Sequence, residues 1–293
     1  ALIAMRSSPE GIKDGEIAFF GGSFTAIDRD YMIELLSSAQ EFIGENGFKG
    51  IRISTRPDAV DGEICDILEK YHVTAVELGA QSTNDKVLAM NRRGHTREDI
   101  FRSARLLKER GFELGLQMMT GLYGSNDEDS IGTARDIISL SPDTARIYPT
   151  VVIENTELAE LYRNGEYRPQ TPEEAAVLCA KILPMFERAG IKVIRLGLHS
   201  GGDVEGSFVA GAYHPALREM CEGHIYFDII NRALSGKEKG KYIIYVAPRE
   251  VSKASGQRRC NIEKLRELGY ECRIKENAAL SARDITLEKV NLL

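Results

Sequence analysis

The feature that most constrains this chain recurs along residues 14–200. A short apolar run is followed by a polar or glycine-rich turn and then by residues at helical spacing. Ile17, Ala18, Phe19 and Phe20 lead into Gly21-Gly22-Ser23. The run from Gly50 closes on Ser54-Thr55-Arg56 before Pro57, and that from Ala75 closes on Gly79-Ala80-Gln81-Ser82. Glu113–Met119 passes into Gln117–Gly121, Thr144–Val152 holds Tyr148-Pro149-Thr150, and Lys192–Gly197 ends the series. Unbroken apolar runs of this length are expected of strands buried on both faces. Between them, Met32, Leu35, Leu36, Ala39, Phe42 and Ile43 predict a helix that Gly47 stops, and a second is expected near Asp61–Tyr71. Thr96 and Asp99 read as a capping box before Ile100, Phe101, Ala104 and Leu107, and a further helix is expected over Asp127–Leu140. Thr171–Ala189 carries Thr171 as N-cap, Pro172 at N1, Glu174 completing the box and Gly190 beyond the end, with Pro184 as a kink.

Alternating strands and helices imply a parallel sheet with right-handed crossovers. An open doubly wound sheet needs ligand-facing turns mainly at its switch point, whereas a barrel brings every strand end into one ring. Polar turns after almost every strand favour the barrel. The glycine pair Gly21-Gly22 permits positive φ and close approach of a ligand. Ser23 and Thr25 add hydroxyls there, and Asp28 or Asp30 caps the helix that follows.

Charge and cysteine content narrow the function. The net charge of −6 excludes nucleic-acid binding by global charge, so any basic patch must be local. No apolar run approaches a membrane span and no signal-peptide pattern is present, so the expected partners include no membrane and the expected compartment is the cytoplasm. Cys65, Cys179, Cys221, Cys260 and Cys272 are scattered, with neither metal-pair spacing nor disulfide density. The chain opens with Ala1 rather than Met, and ALIAM reads as the end of a helix.

In this order, FFGGSF, ISTRPD, ELGAQSTND, NRRGHT, LQMMTGL and RIYPT resemble motifs of the radical S-adenosylmethionine (SAM) enzymes, over roughly residues 14–200. The likeness is strongest to the Elongator-like branch and more distant to the oxygen-independent coproporphyrinogen-oxidase-like branch. The resemblance implies a partial TIM-like (β/α)6 barrel whose first βα unit is missing here, followed by a small C-terminal α/β domain. It implies SAM as cofactor, with Gly21 and Gly22 at the methionine amino group and Ser54 at the ribose. Gln81, Arg93 and Gln117 fall at further SAM contacts, and Arg93 suits a two-pronged bond to the carboxylate. Arg56, in the STRPD variant, and Tyr148, at a late strand end, are candidate substrate contacts. The resemblance also implies a [4Fe–4S] cluster, whose CxxxCxxC motif this sequence lacks. Its ligands are expected upstream of Ala1, together with the first strand, so that this chain alone is expected to be inactive.

The expected domains are residues 1–200 (the barrel), 201–235 (linker and helix, with Gly201–Gly211 as linker or lid) and 236–293 (a small α/β domain). His214, Cys221 and His224 lack paired-ligand spacing and read as packing or surface groups. Tyr242–Ala247, Glu250–Ser255, the loop Gly256-Gln257-Arg258-Arg259, a helix over Asn261–Leu268 and a strand over Tyr270–Lys275 resemble a minimal KH-type RNA-binding module. Lys253, Arg258 and Arg259 are its candidate RNA contacts. The alternative is an α/β appendage that packs on the barrel. The expected function is a radical SAM enzyme domain that cleaves SAM to a 5′-deoxyadenosyl radical, with RNA, including tRNA, as substrate and an external electron donor. The alternative is a non-catalytic RNA-binding protein with the barrel as scaffold.

Overall fold

The structure, a computed structural model, describes residues 14–45, 47–198 and 206–290, together with Ala1, Ala4 and Ile12. The described residues form two compact units. The first holds residues 1–150, 160–167 and 185–196, and the second holds residues 151–159, 168–184 and 197–293. The expected division at residues 200/201, the helix end at ALIAM and the linker over 201–205 lie outside the described residues.

The first unit is built on a six-stranded sheet in the order β1-β2-β3-β4-β5-β7. These strands are β1 (Glu16–Phe19), β2 (Gly50–Thr55), β3 (Val73–Gln81), β4 (Glu113–Thr120), β5 (Thr144–Pro149) and β7 (Lys192–Leu196). Every neighbouring pair is parallel, as the β/α alternation predicts. The helices between them are α1 (Arg29–Gln40), α2 (Gly62–Lys70), α3 (Asp85–Met90), α4 (Arg97–Glu109) and α5 (Asp127–Ser139). Asp28 caps α1 by accepting from the Tyr31 amide, and Asp61 caps α2 through the Ile64 amide. The expected capping box Thr96–Asp99 forms at α4, and a second, Asn126–Asp129, starts α5. Helix α1 ends at Gln40, before Gly47.

Side chains alternate along the sheet. Ile51, Ile53, Val76, Leu78, Leu114, Leu116, Ala145 and Ile147 are buried on one face. The opposite face carries Arg52, Ser54, Gln117, Arg146 and Tyr148, each half-buried, with the fully buried Glu77. Hydrogen bonds on this polar face skip a strand. Thr74 of β3 donates to Glu16 of β1 at 2.7 Å, and Arg52 of β2 donates to Glu113 of β4 at 2.7 Å. Such reach across an intervening strand requires a concave surface, so the sheet curls into a half-barrel with a polar lumen. This departs from the branched apolar layers that fill a closed barrel of this type.

The run Thr144–Val152, expected as one strand, is two. Strand β5 stops at Pro149, which has no amide hydrogen for the ladder. The Thr150 amide turns to the Thr120 carbonyl at 2.9 Å, and β6 (Val151–Ile153) pairs antiparallel with β8 (Phe208–Gly211). Residues 208–211, expected within a linker, are therefore strand.

The second unit also contains α8 (Leu217–Leu234), β9 (Gly240–Val246), α9 (Val251–Ser255), α10 (Cys260–Glu267), β10 (Tyr270–Glu276) and β11 (Ile285–Lys289). The intervening helices of the chain are α6 (Glu157–Arg163) and α7 (Pro172–Arg188), and Pro184 lies inside the latter. Strands β9 and β10 are parallel, and β11 joins the other side of β9 antiparallel, giving the order β10-β9-β11. Tyr242, Ile244 and Val246 alternate inward from β9 and form a core with Tyr226, Ile230 and Leu234 of α8, Leu265 of α10, and Tyr270 and Cys272 of β10. The expected strand–helix–loop–helix–strand order is present, and β11 adds a third strand that sequence reasoning did not find.

Candidate ligand site in the half-barrel

The site is assembled at the C-terminal ends of the parallel strands. Sheet register aligns Phe19 with Ile53, Thr55 with Leu78, Leu78 with Leu116, and Met119 with Tyr148. The turn after β1 and the ends of β2 to β5 thus lie at one level. Gly21 has φ +110°, a conformation that favours glycine, and a Cβ at Gly21 or Gly22 would meet no atom within 4 Å. Both backbones are exposed, so a ligand has open access to them.

Gln81 ends β3 at a bulge, where pairing shifts between Gly79 and Gln81. Its φ of +61° is unusual for a residue with a side chain. His95 accounts for part of this geometry. The Ala80 carbonyl accepts from His95 Nε2 at 3.1 Å and from the Ser82 amide at 2.7 Å. His95 is buried, and its Nδ1 has no hydrogen-bond partner among the described residues. Gly79 makes room at the bulge, since a Cβ there would lie 2.7 Å from Gln81 Nε2.

Arg93 follows α3 and reaches β4. Its Nη2 lies 3.1 Å from the Met119 sulfur, and its buried Nε has no hydrogen-bond partner among the described residues. Burial pulls its pKa below the ordinary arginine value, since removal from water disfavours the cation. A desolvated guanidinium without a carboxylate is a ready receptor for an incoming anion. Arg56, by contrast, is exposed and bound to Asp58, with its Nε donating at 2.9 Å and its Nη2 also paired. Its guanidinium also lies next to Gly94, where a Cβ would stand 3.1 Å from Nη2.

The lumen joins the remaining candidates. Gln117 Nε2 donates to Glu77 at 3.0 Å and approaches Ser54 Oγ at 3.3 Å. Arg146 grips Glu77 with Nε at 2.6 Å and Nη2 at 2.8 Å, and its Nη1 reaches Tyr148 Oη at 3.4 Å. The Arg146 guanidinium also stands 5.5 Å from the ring centre of Phe20, an exposed residue beside Gly21. Arg52 completes the network, 2.7 Å from Glu16 and 3.5 Å from Glu77. Gly115 leaves the space for Glu77, because a Cβ there would fall 2.7 Å from Glu77 Cγ. Ser54, Gln117 and Tyr148 are thus connected through Glu77 and Arg146, while Gln81 sits at the β3 bulge and Arg93, beyond α3, against Met119.

Sequence reasoning passed over Glu77, Arg146, Arg52 and Glu16. A signal was present: each is a charge inside or at the start of an otherwise apolar strand. In the second unit, Arg258 and Arg259 are exposed, with φ of +52° and +64°. Lys253 is instead held by carboxylates, at 2.8 Å from Glu250 and 4.0 Å from Glu222. Among the described residues, no group of three or more His, Cys, Asp or Glu side chains is placed to hold a metal ion. No helix among them is long and apolar enough to cross a membrane.

Comparison with known proteins gives matches to the Radical SAM superfamily over residues 6–137 and to the Radical_SAM C-terminal domain over residues 142–226. The chain is 32% identical over 196 residues to a tRNA uridine(34) acetyltransferase of Methanocaldococcus jannaschii, covering 59% of this chain and 36% of that protein. It is 32% identical over 197 residues to Elongator complex protein 3 of Homo sapiens, covering 58% of this chain and 35% of that protein. Among solved structures, Elp3 of Methanocaldococcus infernus with an N-terminal deletion superposes with a TM-score of 0.63 at 24% identity. That match covers 78% of this chain and 61% of the solved one, and it bears on the fold alone. The chain therefore spans little more than a third of the curated relatives' length.

Proposed function

Because the chain belongs to the radical SAM superfamily, we propose that its half-barrel binds S-adenosylmethionine at the C-terminal strand ends, within an enzyme that modifies tRNA. The observation that carries the binding reading is Arg93, whose guanidinium, with its Nε buried, has no carboxylate partner among the described residues. It fits the methionine carboxylate. The exposed backbones of Gly21 and Gly22 leave room for the methionine amino group, and Gly21 and Gln81 both hold φ values that shape the surrounding turns. Ser54 and Gln117 offer a hydroxyl and an amide to the ribose. Tyr148 and Arg56 are the proposed substrate contacts. When bound, and given one electron from a donor outside this chain, SAM would supply a 5′-deoxyadenosyl group for hydrogen abstraction. The residues of this chain bind it, orient it and limit water around its carboxylate.

A [4Fe–4S] cluster does not fit the cysteines described here. Cys65, Cys179, Cys221 and Cys272 are buried, and Cys260 alone is exposed. Cluster assembly needs several thiolates at one point. No step through a cluster is derived from these residues. The tRNA substrate is supported by the relatives' names, which are those of tRNA-modifying proteins or of Elongator.

The test compares wild type with Arg93→Gln by calorimetric titration of SAM and of decarboxylated SAM. A hydrogen bond to a charged group contributes about 1.5–3 kcal/mol. Arg93→Gln is therefore expected to weaken SAM binding roughly ten- to hundredfold, and to leave the decarboxylated analogue unchanged. Equal loss for both ligands would remove Arg93 from the carboxylate site.

A further inference from the structure

The second unit carries a groove of about 810 Å³ lined by the first residues of the paired strands β9 and β10, by α10 and by Val290. Arg259, just before α10, and Arg266 on α10 line it, together with Arg273 of β10 and Lys241 of β9. Two of these cations are neutralised within the groove. Arg266 pairs with Glu263 at 2.8 Å, and Lys241 with Glu271 at 3.5 Å. Arg259 and Arg273 have no ion-pair partner among the described residues, and both are exposed. A local excess of unpaired arginine in a chain of net charge −6 is a placement that general solubility does not explain.

The loop that carries Arg259 is rigidly held. Gly256 has φ +75°, and a Cβ there would fall 2.7 Å from Cys260 Sγ and 2.9 Å from Asn261 Cγ. Asn261 is buried and donates to the Gly223 carbonyl at 2.8 Å and to the Ala254 carbonyl at 3.1 Å, tying the loop to α8 and α9. Arg258 and Arg259 follow, both left-handed, a conformation that residues with a Cβ seldom adopt. Arg259 is thereby presented from a fixed backbone.

We propose that this groove binds a single-stranded RNA segment by its phosphates, with Arg259 and Arg273 as the contacts. The proposal rests on the reading of RNA as substrate and adds the place on this chain where the strand runs. Arginine's planar fork matches phosphate oxygens. Lys253 is not one of these contacts, because its carboxylate partners already neutralise it. Recognition through phosphates carries no direct sequence information, so the groove would hold and orient RNA rather than select it.

The test uses the full chain with oligo(U) RNA and bulk tRNA as probes, in fluorescence anisotropy across a salt series. The variants are Arg259→Ala with Arg273→Ala, and the charge reversal Arg273→Glu. Arg102→Ala, on α4 of the other unit, serves as control. The double variant should bind at least tenfold more weakly at low salt. Its log–log salt slope should be shallower by about 1.4, since each single-strand phosphate contact contributes about 0.7. Wild-type binding with unchanged affinity and slope in the variants would overturn the groove and leave the RNA reading standing. Absence of wild-type RNA binding would overturn both. Displacement of RNA by poly-glutamate at equal charge would reassign the groove to acidic peptides.

Discussion

Taking a carboxylate out of water costs several kcal/mol unless donors replace the lost hydration, and Glu77 is supplied with donors by Arg146 and Gln117. The same contacts hold Gln117 toward Ser54 and Arg146 toward Tyr148. Glu77 is thus a positioning residue for the lumen. Glu77→Gln leaves the guanidinium groups of Arg52 and Arg146 without their shared counter-charge. We expect a loss of about 3–5 kcal/mol in urea unfolding. The pair Glu77→Gln with Arg146→Met should be less destabilised than Glu77→Gln alone, because it removes both ends of the ion pair. A double variant as unstable as the sum of its parts would show that Glu77 and Arg146 act independently.

At the scale of elements, the helices of the half-barrel are started by side chains that satisfy their first amides. At α4, Asp99 accepts from the Thr96 amide at 2.9 Å and from its hydroxyl at 2.8 Å, while the Asp99 amide donates to Thr96 Oγ1 at 3.3 Å. The Thr96 backbone and side-chain bonds hold the Asp99 carboxyl below the usual carboxylate range. A folded-state pKa lowered in this way contributes stability above the unfolded value and loses it as pH falls through the folded value. Asp99→Asn should cost about 1 kcal/mol at neutral pH. The difference from wild type should shrink toward zero in acid below the carboxylate range. Parallel urea titrations at the two pH values measure it, and a constant difference would place the effect outside the carboxylate.

At the scale of the whole molecule, the cysteines report how completely each unit is packed. Burial pushes the Cys65 thiol up to about 11, Cys179 to about 12 and Cys272 to about 11, and it raises Cys221 as well. A raised pKa suppresses the reactive thiolate at neutral pH. Cys260 is exposed. A chromogenic disulfide reagent at neutral pH should therefore label Cys260 rapidly and the other four only after denaturation. Mass mapping of the labelled peptides checks the assignment, and rapid labelling of any of the four would contradict the packing described here.

Several features were legible in the linear chain because the rules behind them act over a few residues. Strand–turn–helix alternation led to the parallel half-barrel, and Thr96 with Asp99 or Thr171 with Glu174 marked helix starts at fixed offsets. Gly21 and Gln81 could be placed at strand ends for the same reason, whereas Gln117 lies inside β4. Lys253, a candidate RNA contact, is paired with Glu250 only three residues away, a pairing that helical spacing could have revealed. Pro149 likewise signalled the break between β5 and β6. Other features belong to the tertiary structure. Arg146 and Glu77 are 69 positions apart, and Arg52 and Glu113 are 61 apart. Strand alternation determines that such residues share a face, but it does not determine which charge meets which. Sheet order and curl make that choice, because they bring β1 within reach of β3 and β2 within reach of β4. The contact of Arg93 with Met119 rather than with a carboxylate among the described residues, and the groove beside β10, have the same origin: a side chain's partners depend on which distant segments the folded backbone sets beside it.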